Sequence, residues 1–347
     1  MDELVYQAEL SKSDAQIILD WCRVARERRP VVLVGTGFSR NSVPKAGWKD
    51  LVGDAASKPK VLLWSELAEK FREGLVGENE DAENDPLWLA ELYRRHLGRE
   101  SLLRVLHQSV PTDLLEKGNE HKLLARIDWD TVLTTNYDCF IEQGFEAIQK
   151  PFRSVVSEAN LVSGDFRATP IIHLHGIFDQ PESIVISLED YRTYQDSHRG
   201  IVTKVRQLFL ERPLLLIGFS ATDPNFIQWS GWIRDLVGST RIKAINLAVS
   251  ETGTGKPRQQ YWHDAISFVH VPLDRTKIIE KVLEVVNQAT ESISPRVLSD
   301  ITISRIDRIQ SIPELIEEVS KVGGNILLDR PDRSEYDAQK QNGRASC

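Results

Sequence analysis

Cysteine is scarce in this chain. Its three residues, Cys22, Cys139 and Cys347, are spread over 347 positions, and no two stand in a Cys-x-x-Cys pair. Such a set supports neither a disulfide framework nor a thiolate zinc site, and it suits a reducing compartment, so a cytoplasmic protein is expected. Long hydrophobic runs are missing too. No stretch approaches the roughly 18–20 apolar residues that a membrane helix needs, and residues 1–14 are acidic and lack the apolar core of a secretory signal. Basic residues do not dominate: Lys and Arg number 43 against 51 Asp and Glu, a net charge of −8. That speaks against a globally basic nucleic-acid binder while leaving room for a local basic patch. What is present, 41% hydrophobic and 27% charged residues, is the balance of a folded globular protein. The length allows two domains or one enlarged α/β domain.

Periodicity organises the chain. Residues 13–28 read as a helix, with Ser13 and Gln16 at capping-box spacing and Ile18, Trp21, Cys22 and Ala25 on one face; Pro30 stops it. Val31-Val32-Leu33-Val34-Gly35 is a continuous β-branched run, as expected of a strand covered on both faces. Residues 61–127 carry helical stripes (Leu89, Leu92, Tyr93, Leu97, then Leu102, Leu103, Leu106) and no clear strand, so they read as an all-helical insertion. Within it, Gly77–Pro86 is an acidic, solvated loop. Strand candidates follow at Thr131–Thr134, Pro170–Leu174, Ser183–Ile186, Leu214–Gly218, Ala244–Ala248 and Ile266–His270. Helices at 199–211, 224–237 and 276–289 separate several of them. The alternation predicts an α/β, Rossmann-like, mostly parallel sheet flanked by helices. One catalytic domain over 1–290 is expected, followed by a C-terminal extension over 291–347. The extension has room for one more helix (Ile312, Leu315, Ile316, Val319). From about 331 it lacks Val, Ile, Leu, Phe, Met and Trp, the composition of a disordered tail.

Two glycine-rich segments bear on ligands. Gly35-Thr36-Gly37-Phe38-Ser39 follows the first strand, where glycines allow a sharp turn and a close approach to a pyrophosphate, with backbone N–H groups as an anion cradle. The dehydrogenase fingerprint would need a third glycine where Arg40 stands, so that pattern is excluded. A tight turn needing positive φ is the plain structural alternative. Thr252–Pro257 mimics a P-loop, but Ser250 and Pro257 occupy positions that require Gly and Ser or Thr.

Several segments, taken in order, resemble the sirtuin superfamily, in the variant found in bacterial antiphage-defence NADases. Gly35–Ser39 is similar to the family's Gly-Ala-Gly-x-Ser loop. Val43-Pro44 with Trp48 and Leu51 resembles its Gly-x-Pro-x-Trp-x-x-Leu continuation, with Val43 in the usual glycine's place. Thr134-Thr135-Asn136-Tyr137-Asp138 resembles Thr-Gln-Asn-x-Asp, and Leu174-His175-Gly176 the Leu-His-Gly that carries the family's catalytic histidine. Gly218-Phe219-Ser220 with Asp223-Pro224 resembles the segment on the nicotinamide-ribose side, and Asn246 stands where an adenosine-ribose contact belongs. The resemblance implies NAD as substrate, with Asn136 and His175 catalytic. It implies NAD contacts at Gly35, Thr36, Gly37, Phe38, Ser39, Trp48, Thr135, Asp138, Gly218, Phe219, Ser220 and Asn246. It also implies a homo-oligomer controlled by a partner protein or fused sensor module, and depletion of cellular NAD on phage infection. The deacylases' four-cysteine zinc ribbon is absent, so no metal is expected and NAD binding is implied more directly than deacylation. An NAD-dependent deacylase and a non-catalytic NAD or ADP-ribose-binding regulator are the alternatives.

The structural alternatives are concrete. Asn136 with Asp138 could simply cap a helix starting near 137. His173 and His175, two apart on a strand, could face one metal, though no third ligand is near in sequence; His173 reads as structural. Asp223 before Pro224 reads as an N-cap, and Ser187 as another. Cys139 falls inside an expected helix, buried rather than nucleophilic. The eight tryptophans read as core, without interleaved basic residues for stacking bases.

Overall fold

The computed structural model describes residues 10–53, 56–75, 85–237, 244–250, 254–263, 265–272 and 277–291. The expected C-terminal helix and tail, and most of the acidic loop, lie outside the described residues. The chain divides into two units, Met1–Ser292 and Ile293–Cys347, and every described residue belongs to the first.

Seven strands build one sheet: β1 (Val31–Val34), β4 (Thr131–Thr134), β5 (Phe152–Val155), β6 (Thr169–His173), β7 (Leu214–Ile217), β8 (Ala244–Ser250) and β9 (Ile266–Pro272). Their order is β5-β6-β4-β1-β7-β8-β9, and every pairing is parallel. Central strands buried on both faces explain why β1 and β7 are uninterrupted aliphatic runs. Their side chains alternate between two cores. Val32, Val34, Leu215 and Ile217 pack with α1 (Lys12–Glu27), α7 (Asn119–Arg126) and α14 (Lys277–Glu291). Val31, Leu33, Leu214 and Leu216 pack with α10 (Leu188–Ser197), α11 (Arg199–Glu211) and α12 (Pro224–Val237). From β1 the chain lays β4 beside it, then β5 at the edge and β6 between those two, before crossing back to lay β7 on the other side of β1. The crevice between the carboxyl ends of β4, β1 and β7 is therefore the topological switch point, where open α/β sheets bind ligands.

The helical insertion has its own core. Helices α4 (Trp64–Gly74), α5 (Pro86–Leu97) and α6 (Arg99–Ser109) bury Leu67, Phe71, Leu89, Ala90, Leu102 and Leu106 together. It is smaller than the 61–127 expected, because Leu123, Leu124 and Ala125 of α7 belong to the main core. Nor is it wholly helical: Leu115–Glu116 (β3) pairs antiparallel with Val43–Pro44 (β2). The short helices α2 (Thr36–Ser39) and α3 (Trp48–Val52) flank β2.

Other expectations are corrected by tertiary context. Ser11, not Ser13, caps α1, its Oγ accepting the Asp14 N–H at 3.1 Å, while Gln16 bonds to Asp20 instead. Ser183–Ile186 is not a strand. A single 3₁₀ turn (Pro181–Ser183) precedes an extended stretch whose polar groups are bonded by His175 O, the Tyr137 hydroxyl, Arg99 and Asp190 rather than by a ladder. Its apolar run reflects burial in two cores. Strand β5 escapes sequence detection because it is a half-buried edge whose Arg153 and Ser154 interrupt the pattern. Trp21, Trp129, Trp229 and Trp262 are core, but Trp88 is exposed. Among the described residues no helix is long and apolar enough to cross a membrane.

Candidate functional site

The loops leaving β1 and β7 interlock. Gly35 N–H donates to Ile217 O and Gly37 N–H to Gly218 O, both at 3.0 Å. A Cβ on Gly35 would lie 2.5 Å from Gly218 O, and one on Gly218 would lie 2.1 Å from Phe38 N. Positive φ occurs at Gly218 (62°), not at Gly35 (−113°). The positive φ that a tight turn would need falls on Gly218 instead; Gly35 and Gly37 are small because that loop touches them, and both their amides are engaged within the protein. Gly218→Ala combines a left-handed backbone with a backbone clash. It is expected to destabilise the domain by about 2–5 kcal/mol, read as a lower urea midpoint; a parental midpoint would mean the loops do not meet this way.

Asn136 sits two residues beyond β4, its N–H bonded to Thr134 Oγ1 at 3.0 Å. Its side-chain Nδ2 donates to Ser39 Oγ (2.8 Å) and Gly35 O (3.2 Å). Ser39 in turn donates to Asp138 Oδ2 at 2.7 Å. With its one proton given to Asp138, Ser39 can only accept from Asn136, so the amide nitrogen faces inward and Oδ1 faces away. That oxygen is buried and finds no partner among the described residues. Asp138 Oδ1 accepts the Phe140 N–H (3.2 Å) ahead of helix α8 (Phe140–Ala147). Asp138 therefore braces the turn into α8, whose N-cap is Cys139, and Asn136 takes no part in it. Burial pushes the Asp138 carboxyl up to about 6, opposed by the Ser39 and Phe140 hydrogen bonds. Cys139, at the N-cap rather than inside the helix, is free, and burial followed by the nearby carboxylates pushes its thiol up to about 12, so it is no nucleophile.

The two histidines, expected to share a face, have separate partners. His173 Nε2 lies 2.6 Å from Glu142 Oε1 of α8, and its Nδ1 is 3.4 Å from Asn136 O. Burial works against the charged forms, yet the pair's mutual attraction outweighs it. His173 is raised and Glu142 lowered from their ordinary values, giving a buried ion pair beneath the Asn136 peptide. His175 leaves β6 in the next strand position over, since Thr134 and His173 are register partners and Leu174 N–H donates to Thr134 O. The Tyr191 hydroxyl lies 3.2 Å from its Nε2 and 3.4 Å from its Nδ1, and donates to Asp223 Oδ2 at 2.8 Å. Asp223 caps α12 through Oδ1, which accepts the Phe226 N–H at 2.9 Å. Burial lowers the imidazole from its ordinary value, with Asp223 opposing, so His175 is neutral at pH 7.

A small, open cleft lies beside Asn136. Thr36, Asn136 and Asp138 line its sheet side, and Leu62, Trp64 and Leu106 of the insertion line the other; His175 is not part of this lining. The remaining residues of the family resemblance scatter. Phe38 is core, packed on His121. Trp48 is half-buried on α3 and outside the cleft lining. Thr135 N–H donates to Val34 O. Phe219 is buried and Ser220, exposed, meets Thr222. Asn246 is buried in β8, donating from Nδ2 to Phe219 O at 3.0 Å with Oδ1 unpartnered among the described residues. It braces the β7 loop. Sequence reasoning missed Tyr191 and Glu142, and it placed Asp223 in the nicotinamide-ribose segment and as a cap without its tyrosine partner; nothing local marks a residue whose partner is 32 positions away. No group of three or more His, Cys, Asp or Glu able to hold a metal occurs among the described residues.

Residues 130–267 match the family model of the SIR2-like domain. The matched stretch holds Asn136, His175, Gly218–Ser220 and Asn246 and begins after the glycine loop. The chain is 27% identical over 198 residues to the NAD(+) hydrolase ThsA of Enterococcus faecium, covering 56% of this chain and 37% of that one. It is 26% identical over 213 residues to the NAD(+) hydrolase ThsA of Bacillus cereus (strain MSX-D12), covering 60% and 40%. The chain thus spans about two-fifths of the length of these curated relatives. Among solved structures, a SIR2 homologue–NAD complex aligns over 80% of this chain and 95% of its own, at 13% identity and a TM-score of 0.40. Within the matched stretch, the Asn136 carboxamide and the His175 imidazole both emerge at the carboxyl ends of the adjacent strands β4 and β6.

Proposed function

We propose that this SIR2-like domain hydrolyses NAD to nicotinamide and ADP-ribose, and that it serves as the effector of an antiphage defence by depleting cellular NAD. The observation that carries the reading is the orphaned Oδ1 of Asn136, held by Ser39 and Asp138 at the edge of a cleft at the sheet's switch point. A buried acceptor without a donor is costly, about 1–3 kcal/mol, unless a ligand satisfies it. A ribose hydroxyl or an attacking water supplies that donor. The names of the curated relatives support the choice of NAD.

The chemistry asks little of the protein. Nicotinamide in NAD is a cationic leaving group that departs neutral, keeping the electron pair of its bond to C1′. What must be stabilised is an oxocarbenium-like transition state, with water directed at C1′. Asn136 Oδ1 orients the hydroxyl or the water. The neutral imidazole of His175 takes the water's proton as the new C–O bond forms. An oligomeric assembly and a partner or sensor module that switches it on complete the proposal.

The test incubates purified protein with NAD and quantifies nicotinamide and ADP-ribose, with acetylated peptide in a parallel arm. Expression in bacteria with and without phage, for the parental chain and His175→Ala, covers an effector that is silent at rest. NAD loss on infection in the parental strain alone is expected. Accumulation of O-acetyl-ADP-ribose would point to a deacylase, and unchanged NAD in every arm would defeat the proposal.

A further inference from the structure

We propose that Tyr191 and Asp223 form a buried positioning relay behind His175, in which the tyrosine hydroxyl, anchored by the carboxylate, holds the imidazole in place for proton uptake. The role of His175 rests on the function proposed above, whereas the relay itself rests on geometry. The Tyr191 hydroxyl has a single proton, and its 2.8 Å contact with Asp223 Oδ2, a charged acceptor, takes it. The oxygen then rests against the imidazole, 3.2 Å from Nε2 and 3.4 Å from Nδ1 and so in line with neither nitrogen, with Asp223 Oδ2 itself 3.5 Å from Nε2. Asp223 cannot swing away, because its other oxygen holds the first turn of α12 through Phe226 N–H. Tyr191 is anchored by its helix, whose Ser187 cap precedes it. The three side chains come from three separate elements, and none of the contacts is needed for the caps at Ser187 or Asp223.

The groups around His175 sort by sign. From α10 come Tyr191, Tyr194 and, at its end, His198, stacked on Tyr194 with ring centroids 4.3 Å apart. The loop before α12 brings Asp223, and Tyr137 lies beyond Tyr191. Burial and His198 disfavour the imidazolium; Asp223 is the carboxylate that favours it. When His175 takes up the water's proton, the new charge lands beside Asp223 and an electron-rich hydroxyl oxygen, the arrangement a buried general base needs.

Asp223→Asn and Tyr191→Phe separate this from a merely structural role. Asparagine keeps the N-cap while losing the charge, and phenylalanine keeps the ring while losing the bridge. The first readout is the titration of the His175 Cε1–H resonance by NMR, assigned with His175→Ala, and it requires no turnover. In Asp223→Asn the midpoint is expected to move to lower pH, and in Tyr191→Phe in the same direction by less. The second readout is kcat for NAD across pH. The acid limb shifts down with the midpoint and kcat at pH 7 falls about tenfold, short of the 10²–10⁴ that a lost general base costs, with KM little changed. A His175 midpoint unmoved in both variants overturns the relay, whatever the activity. A shifted midpoint in a protein that never hydrolyses NAD upholds the relay and defeats the functional reading instead. Should Asp223→Asn fail to fold, Asp223→Ser retains the cap acceptor and takes its place.

Discussion

Asn136→Ala is expected to lower NAD hydrolysis by about 10²–10³-fold, the range for deleting one preorganised polar group from a transition-state site. The direction follows from the hydrogen-bond chain Asn136–Ser39–Asp138. That chain fixes the carboxamide so that one oxygen, already stripped of water, waits at the cleft. Alanine removes the oxygen and leaves Ser39 still bonded to Asp138, so the stability cost should be modest, about 1–3 kcal/mol, chiefly from Gly35 O losing a donor. A large loss of rate with a small loss of stability is therefore the signature. Nicotinamide release by chromatography, beside a urea melt, measures both. Release at the parental rate would remove Asn136 from the chemistry.

Glu142→Ala is expected to cost about 3–5 kcal/mol, the range for breaking a buried ion pair from one side. The cost arises because His173 is left charged, or forced neutral, with its Nε2 facing a cavity. Ser154 also loses its acceptor. The pH dependence has a definite sign. His173 is raised, so its contribution is complete below about 6.5 and is lost as pH climbs through its folded value. Glu142 is lowered, so its contribution is present above about 4.5 and disappears as pH falls through its folded value. Urea melts of the parental protein at pH 6 and pH 9 should show the higher stability at pH 6, and Glu142→Ala should abolish that difference. Because His173 also reaches Asn136 O, the variant should lose activity along with stability. An unchanged urea midpoint would mean that the pair contributes nothing net.

The central strands were legible because burial on both faces admits one kind of sequence, the unbroken aliphatic run of Val31–Val34 or Leu214–Ile217. The helices were legible where one face alone is buried, as along Ile279, Val282, Leu283 and Val286. Edge strand β5 has neither signature. Ile184–Ile186 has the first without being a strand, because side chains rather than a neighbouring strand satisfy its backbone. Asn136, Asp138 and His175 could be read from short motifs since each stands just past a strand end. Tyr191 could not, because on its own helix it is one more tyrosine.

By itself the sequence determined an alternating parallel sheet and the segments that leave its carboxyl edge, since hydrophobic period and turn chemistry are local properties of the chain. The tertiary structure alone decided which groups those segments present. It turned Gly35 and Gly37 into contacts for the Gly218 loop, fixed the Asn136 amide through Ser39 with its oxygen buried and unpartnered among the described residues, and gave His173 and His175 different partners. Those outcomes depend on which side chains from distant positions share a dry space. There a single proton or a single methyl group settles the arrangement, and no local pattern encodes it.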